Sequence, residues 1–143
     1  MDGMNLADTI RPMQVCDFDG CIRAARAKYA GVYPRMHQEL TYQVLAEMHG
    51  KPEFLLLAGR NVYFAAAAAR SFMEPEITVG ARWMFTVVPD VREFIGVIRA
   101  MERWGREIGA IKCGFGLITE KDFTAVAARL GYKVAERYYE KEI

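Results

Sequence analysis

Apolar residues recur along this chain with two different periods, and the switches between them outline its elements. Residues 9–14 form a short extended segment around Arg11 and Pro12. Asp17 is placed to N-cap a helix over 17–30, which Gly31 ends as the residue after its C-terminus. Val32-Tyr33-Pro34 then interrupts, because proline disfavours α conformation in the residue before it. Met36, Leu40, Val44, Leu45 and Met48 return at helical spacing and predict a second helix over 35–49, closed by Gly50.

The period then shortens. FLLLAGR at 54–60 reads as a buried strand, Gly59-Arg60-Asn61 as a turn, and 62–73 as the next strand. Five consecutive alanines, 65–69, favour helix locally. Small side chains are also selected where another element packs closely on a sheet, so the strand is kept. After a Glu74-Pro75 turn, the row Val79, Ala81, Trp83, Phe85, Val87 alternates and predicts one apolar face of a strand over 77–88.

A Pro-Asp turn leads into a helix over 91–108 that buries Val91, Phe94, Ile95, Ile98, Met101, Trp104 and Ile108. Its other face carries Arg92, Arg99, Arg103 and Arg106 among glutamates, with Glu102 and Arg106 spaced as an i,i+4 pair. Gly109 ends it. A strand over 110–118, a helix over 120–130, Gly131 and a final alternating strand over 132–141 complete the chain. The predicted order is β-α-α-β-β-β-α-β-α-β. Hairpin strands followed by β-α-β-α-β make an α/β fold with a mixed sheet and helices on both faces.

The length of 143 residues suits a single domain, 1–143, with a substantial core, and no linker or repeat divides it. Hydrophobic content of 52% against 26% charged residues is that of a soluble globular protein. A formal charge of +1 supplies no field that would draw nucleic acid or an anionic membrane, so neither is an expected partner. The longest uncharged apolar run, 62–69, is too short to span a bilayer, and MDGMNLADTI has no signal-peptide pattern. Cys16, Cys21 and Cys113 form no CxxC pair and are odd in number, which points to reduced, mostly buried thiols. The expected setting is a cytoplasm, including a host cytoplasm, or a virion, and not a secreted state.

Three stretches carry a family resemblance: TIRPMQVCDFDGCIRAAR, TVVPDVREFIGVIRAMERW and FTAVAARLGYKVAERYYE. In this order and spacing they resemble the opening strand and helix, the acetyl-CoA segment and the closing helix–"LGF"–strand of the GCN5-related N-acetyltransferase (GNAT) family. The resemblance covers essentially the whole chain and implies a single GNAT-like domain. In that family the loop after the fourth strand reads roughly V-x-P-x-x-[QR]-G-x-G-[hydrophobic]-G. Here Val87, Pro89 and Arg92 match, Glu93 and Ile95 replace the two cradle glycines, and Gly96 lies nearby.

If acetyl-CoA binds, the resemblance therefore implies contacts from Val87, Val88, Arg92 and Gly96. A carboxylate at Glu93 would repel the pyrophosphate there. The family's helix-entry Asn and its proton-donating Tyr correspond to Glu120 and Ala127, and alanine transfers no proton. Glu76 is the nearest carboxylate to serve as base, and it is more simply a solvated turn residue. His37 and His49 are too far apart in the sequence for paired metal ligands, and no metal is expected. The cysteines lack a placed His–Asp partner, and Tyr132, Tyr138 and Tyr139 serve equally as strand residues or contact residues.

The expectation is a GNAT-like protein with an eroded site and no bound cofactor, working through other proteins of an assembly as an oligomer or beside virion neighbours. It resembles the short GNAT-type proteins that bacteriophages carry as virion, internal virion or head–tail components. The alternative is an active acetyl-CoA-dependent N-acetyltransferase with a divergent loop and an unnamed amine acceptor.

Overall fold

A computed structural model describes residues 10–29, 38–70, 75–116, 124–135, 139, 141 and 143. Five strands form one sheet: β1 (Arg11–Pro12), β2 (Phe54–Ala58), β3 (Val62–Arg70), β4 (Ile77–Thr86) and β5 (Lys112–Gly114). They lie in the order β1-β2-β3-β4-β5. The first four pair antiparallel, and β5 joins β4 in parallel. The helices are α1 (Phe18–Tyr29), α2 (Gln38–Met48), α3 (Val91–Glu107) and α4 (Thr124–Arg129). The mixed sheet and the helix order agree with the expectation.

Alternation along the strands makes two cores. Leu56, Ala58 and Ala65 face α1 and α2, where Met13, Phe18, Cys21, Ile22, Leu45 and Met48 are buried. Leu57, Val62, Phe64, Ala66 and Val79 face Phe94, Val97, Ile98 and Met101 of α3, with Val126 and Leu130 at the margin. Each fully buried side chain of this size contributes about 2 kcal/mol by leaving water. The alanine run is a strand as expected. Ala65 and Ala66 have no exposed surface and lie in opposite cores, so small residues admit close packing from both sides.

β4 departs from the expected alternation. Ala65 pairs with Trp83 but Ala66 pairs with Ala81, so Arg82 is an extra residue in a β-bulge. The bulge reverses the strand's facing. Val79 and Ala81 pack with α3, whereas Trp83 and Phe85 pack with the α1–α2 core and stack on each other with centroids 4.8 Å apart. The predicted row therefore splits between two faces, and Val87 lies beyond the strand, exposed.

Helix ends also differ in detail. Asp17 does not N-cap α1; it closes a 3-10 turn (Val15–Asp17) as the third residue of a capping box with Gln14. Its carboxylate accepts from the Gln14 amide at 2.8 Å and from Arg11 Nη1 and Nη2 at 2.7 and 2.8 Å. Gly50 and Gly109, the predicted terminators of α2 and α3, take left-handed φ values of 85° and 82° that other residues reach only at a cost. Val91, expected in the core, is exposed at the first turn of α3, and Cys16 is exposed where burial was expected.

The described part of the predicted final strand, 132–135, is not in the sheet. Arg35 to His37, Met73, Glu120 and Tyr138, assigned to predicted elements, lie outside the described residues. Among the described residues no helix is long and apolar enough to cross a membrane.

Candidate functional site

The place where β4 and β5 part is the only feature of the sheet that opens it from within among the described residues. β5 pairs with β4 only at Thr78, Val79 and Gly80. The remaining residues of β4 continue to Thr86 with β3 alone beside them among the described residues. The Arg82 bulge lies just past the last parallel pair. A bulge of this kind bends the strand that carries it and increases its local twist.

On the α1–α2 side of the bulge is an open cavity of about 530 Å³, bounded by Met48, Phe54 and Trp83 with Glu47, Lys51 and Arg82 at its polar wall. Sequence reasoning passed over this set, because Glu47 and Lys51 come from α2 and the following turn while Arg82 comes from the bulge.

β4 leads to the N-terminus of α3 through Val87 and Val88, which are 62% and 54% exposed. The Val87 amide donates to Asn61 O at 2.8 Å, which fixes this turn to the β2–β3 hairpin. Asp90 is the N-cap of α3. Its Oδ1 accepts from the Arg92 amide at 2.9 Å and the Glu93 amide at 3.3 Å, and its carbonyl accepts from the Phe94 amide at 3.0 Å. Two of the donors with which a helix N-terminus would hold a phosphate are thus paired with a carboxylate. The signal was present in the sequence as an Asp directly before an apolar helical run.

Glu93 contradicts the expectation attached to it. Its side chain does not lie across the helix N-terminus; it is 4% exposed and turned beneath the β2–β3 hairpin. Oε2 accepts from the Arg60 amide and Oε1 from the Asn61 amide, both at 2.7 Å. A Cβ at Gly59 would collide with Glu93 Oε2, so the glycine makes room for the carboxylate. Glu93 is a clasp between α3 and the hairpin, and it does not carry the repulsion assigned to it.

Of the other predicted positions, Val87, Val88, Arg92 and Gly96 stay together along the turn from β4 into α3, with Arg92 and Gly96 one helical turn apart, while Glu76 and Ala127 lie elsewhere. Arg92 is exposed on the first turn of α3. Gly96 is explained by packing, since a Cβ there would stand 3.0 Å from Ile10 Cγ1. Glu76 is exposed before the start of β4, roughly 20 Å along the strand from Trp83 at about 3.3 Å per residue. It has no reach to the opening. Ala127 is half-buried in α4.

Tyr132 is held between α3 and β5. Its hydroxyl donates to Glu102 Oε2 at 2.8 Å and lies 3.1 Å from Cys113 Sγ. Burial first, then these hydrogen bonds, push its phenol far above the ordinary range. Cys113 also pairs opposite Val79, in the closed part of the β4–β5 junction. Among the described residues no three His, Cys, Asp or Glu side chains gather as a metal site. Burial pushes the Cys21 thiol up to about 12, which keeps it protonated and inert.

No protein-family model matches the sequence, and no curated protein matches it. Solved structures do. A transcriptional regulator from Bacillus halodurans C-125 superposes with a TM-score of 0.77 at 12% identity, covering 94% of this chain and 99% of that one. The aminoglycoside 6'-N-acetyltransferase AAC(6')-IG from Acinetobacter haemolyticus gives 0.70 at 15% identity, covering 98% and 99%. A GNAT family acetyltransferase from Staphylococcus aureus gives 0.64 at 9%, covering 94% and 97%.

The chain has the GNAT fold. Within that fold, the β4–β5 opening and the start of α3 are where the sequence resemblance places acetyl-CoA. The residues present fit its pyrophosphate poorly: the cradle glycines are absent, and Asp90 takes two of the helix amides.

Proposed function

We propose that this GNAT-fold protein is a non-catalytic interaction component, bound to other proteins of an assembly and holding no acetyl-CoA. The observation that carries this is the Asp90 carboxylate seated on the Arg92 and Glu93 amides. The distance of Glu76 from the opening and the alanine at position 127 support the same reading. A phage virion or head–tail component in the host cytoplasm is the setting that the sequence resemblance implies.

A second reading, an active acetyl-CoA-dependent N-acetyltransferase, draws support from the open edge of β4 and the cavity containing Glu47 beside the bulge. Calorimetric titration of the folded protein with acetyl-CoA separates the two. Absence of binding heat at millimolar ligand supports the first, and micromolar affinity replaces it with the second.

A further inference from the structure

The exposed positions of α3 are Val91, Arg92, Arg99, Arg103, Arg106 and Glu107. Between the two end residues, every exposed position is an arginine. At 3.6 residues per turn these four side chains fall within roughly 60° of the helix circumference and span roughly 21 Å of its axis. The sequence suggests that neighbouring glutamates neutralise this face; the structure turns Glu93 away from it, pairs Glu102 with Arg99 alone and leaves Glu107 exposed at its end. Glu93 is turned under the β2–β3 hairpin. Glu102 is 11% exposed, accepting from the Tyr132 hydroxyl and from Arg99 Nη1 at 2.8 Å each. The helix carries four arginines against three glutamates, so what the structure displaces towards this face is the balance of charge and not the charge of the whole helix.

The spacing selects the kind of partner. Arg92, Arg99, Arg103 and Arg106 are separated by seven, four and three residues, the intervals of a heptad seam. Along the axis the gaps are roughly 10, 6 and 4.5 Å, unlike the even interval of a phosphate backbone. An α-helix laid alongside at a shallow angle, with carboxylates in the same order, sets one opposite each guanidinium. Val87, Val88 and Val91, each more than half exposed, stand just ahead of Arg92 and offer an apolar anchor that a nucleic-acid backbone does not use.

Among the described residues a second copy of this chain offers no helix with four carboxylates on one face. Acidic residues in its other helices are Asp19 in α1 and Glu39 and Glu47 in α2, with none in α4.

We propose that the outer face of α3 docks an acidic α-helix of another protein, with carboxylates on the four arginines and an apolar side chain against the valines. This rests on the reading that the protein works through its surfaces, and it names the chemistry of the partner. Its test is independent of acetyl-CoA.

Fluorescence anisotropy would use the full chain and a lactam-stapled helical peptide with one Leu and four Glu at the seven-four-three spacing on one face. Controls are a stapled peptide with the same residues spread around the helix, one with Lys replacing each Glu, and an oligo-dT strand. The patterned peptide should bind about tenfold tighter than the spread one, and the Lys peptide should not bind. The triple variant R99Q/R103Q/R106Q, its fold checked by circular dichroism, should lose about tenfold in affinity. Equal binding of the patterned and spread peptides overturns the proposal. So does a folded triple variant with unchanged affinity, or tighter binding of oligo-dT. The peptide comparison on the native protein decides even if the variant misfolds.

Discussion

The carboxylate of Glu93 accepts both amide protons at the tip of the β2–β3 hairpin from a position almost closed to solvent. Hydrogen bonds to a charged group in such a place are worth roughly 1.5–3 kcal/mol each. Glu93→Gln keeps the shape but turns an amide NH2 towards one of the two N–H donors. It should destabilise the protein by about 3 kcal/mol in urea unfolding, with an unchanged m-value; unaltered stability would contradict the clasp. A second carboxylate is readable through pH. Hydrogen bonding to Arg11 holds Asp17 below the ordinary carboxylate range. A depressed folded value stabilises the native state above the unfolded value of about 4, and this contribution is lost as pH falls through the depressed value. The stability gap between the native protein and Asp17→Asn should therefore be constant from neutral pH to about 5 and shrink below about 4. A gap that widens with acid would refute the assignment.

Among the elements, α3 was the most legible in sequence, because a 3.6-residue period, an acidic N-cap and a closing glycine agree about its limits. What the sequence concealed was direction. Glu93 sits at a helix position that periodicity leaves ambiguous, and a long-range contact with Gly59 decides which way it turns. β4 shows the opposite failure. Its letters alternate through Arg82 without a break, so the bulge has no signature in a period-2 pattern, yet it moves Trp83 and Phe85 to the other face. Deleting Arg82 restores regular pairing and forces one half of the strand to present the wrong face. The deletion variant should lose near-ultraviolet dichroism from the Trp83–Phe85 stack and cooperative thermal unfolding. A native-like spectrum and melt would show that the bulge is not needed for packing.

For the molecule as a whole, element order and the two-sided layering followed from the sequence, since short hairpin connections and alternating β-α units permit few topologies. The end of the chain did not. Tyr132 starts a pattern that alternates well enough for a strand, but its hydroxyl is drawn to Glu102 on α3, and residues 132–135 stay out of the sheet. For the candidate site the sequence offered only a resemblance, carried by Val87, Pro89 and Arg92, whereas the pairing of the Asp90 carboxylate with two helix amides is visible only in three dimensions. If the self-capped terminus denies acetyl-CoA a site, isothermal titration calorimetry on the folded full chain should give no saturable heat with millimolar acetyl-CoA; saturable binding at micromolar concentration would contradict the proposed non-catalytic role.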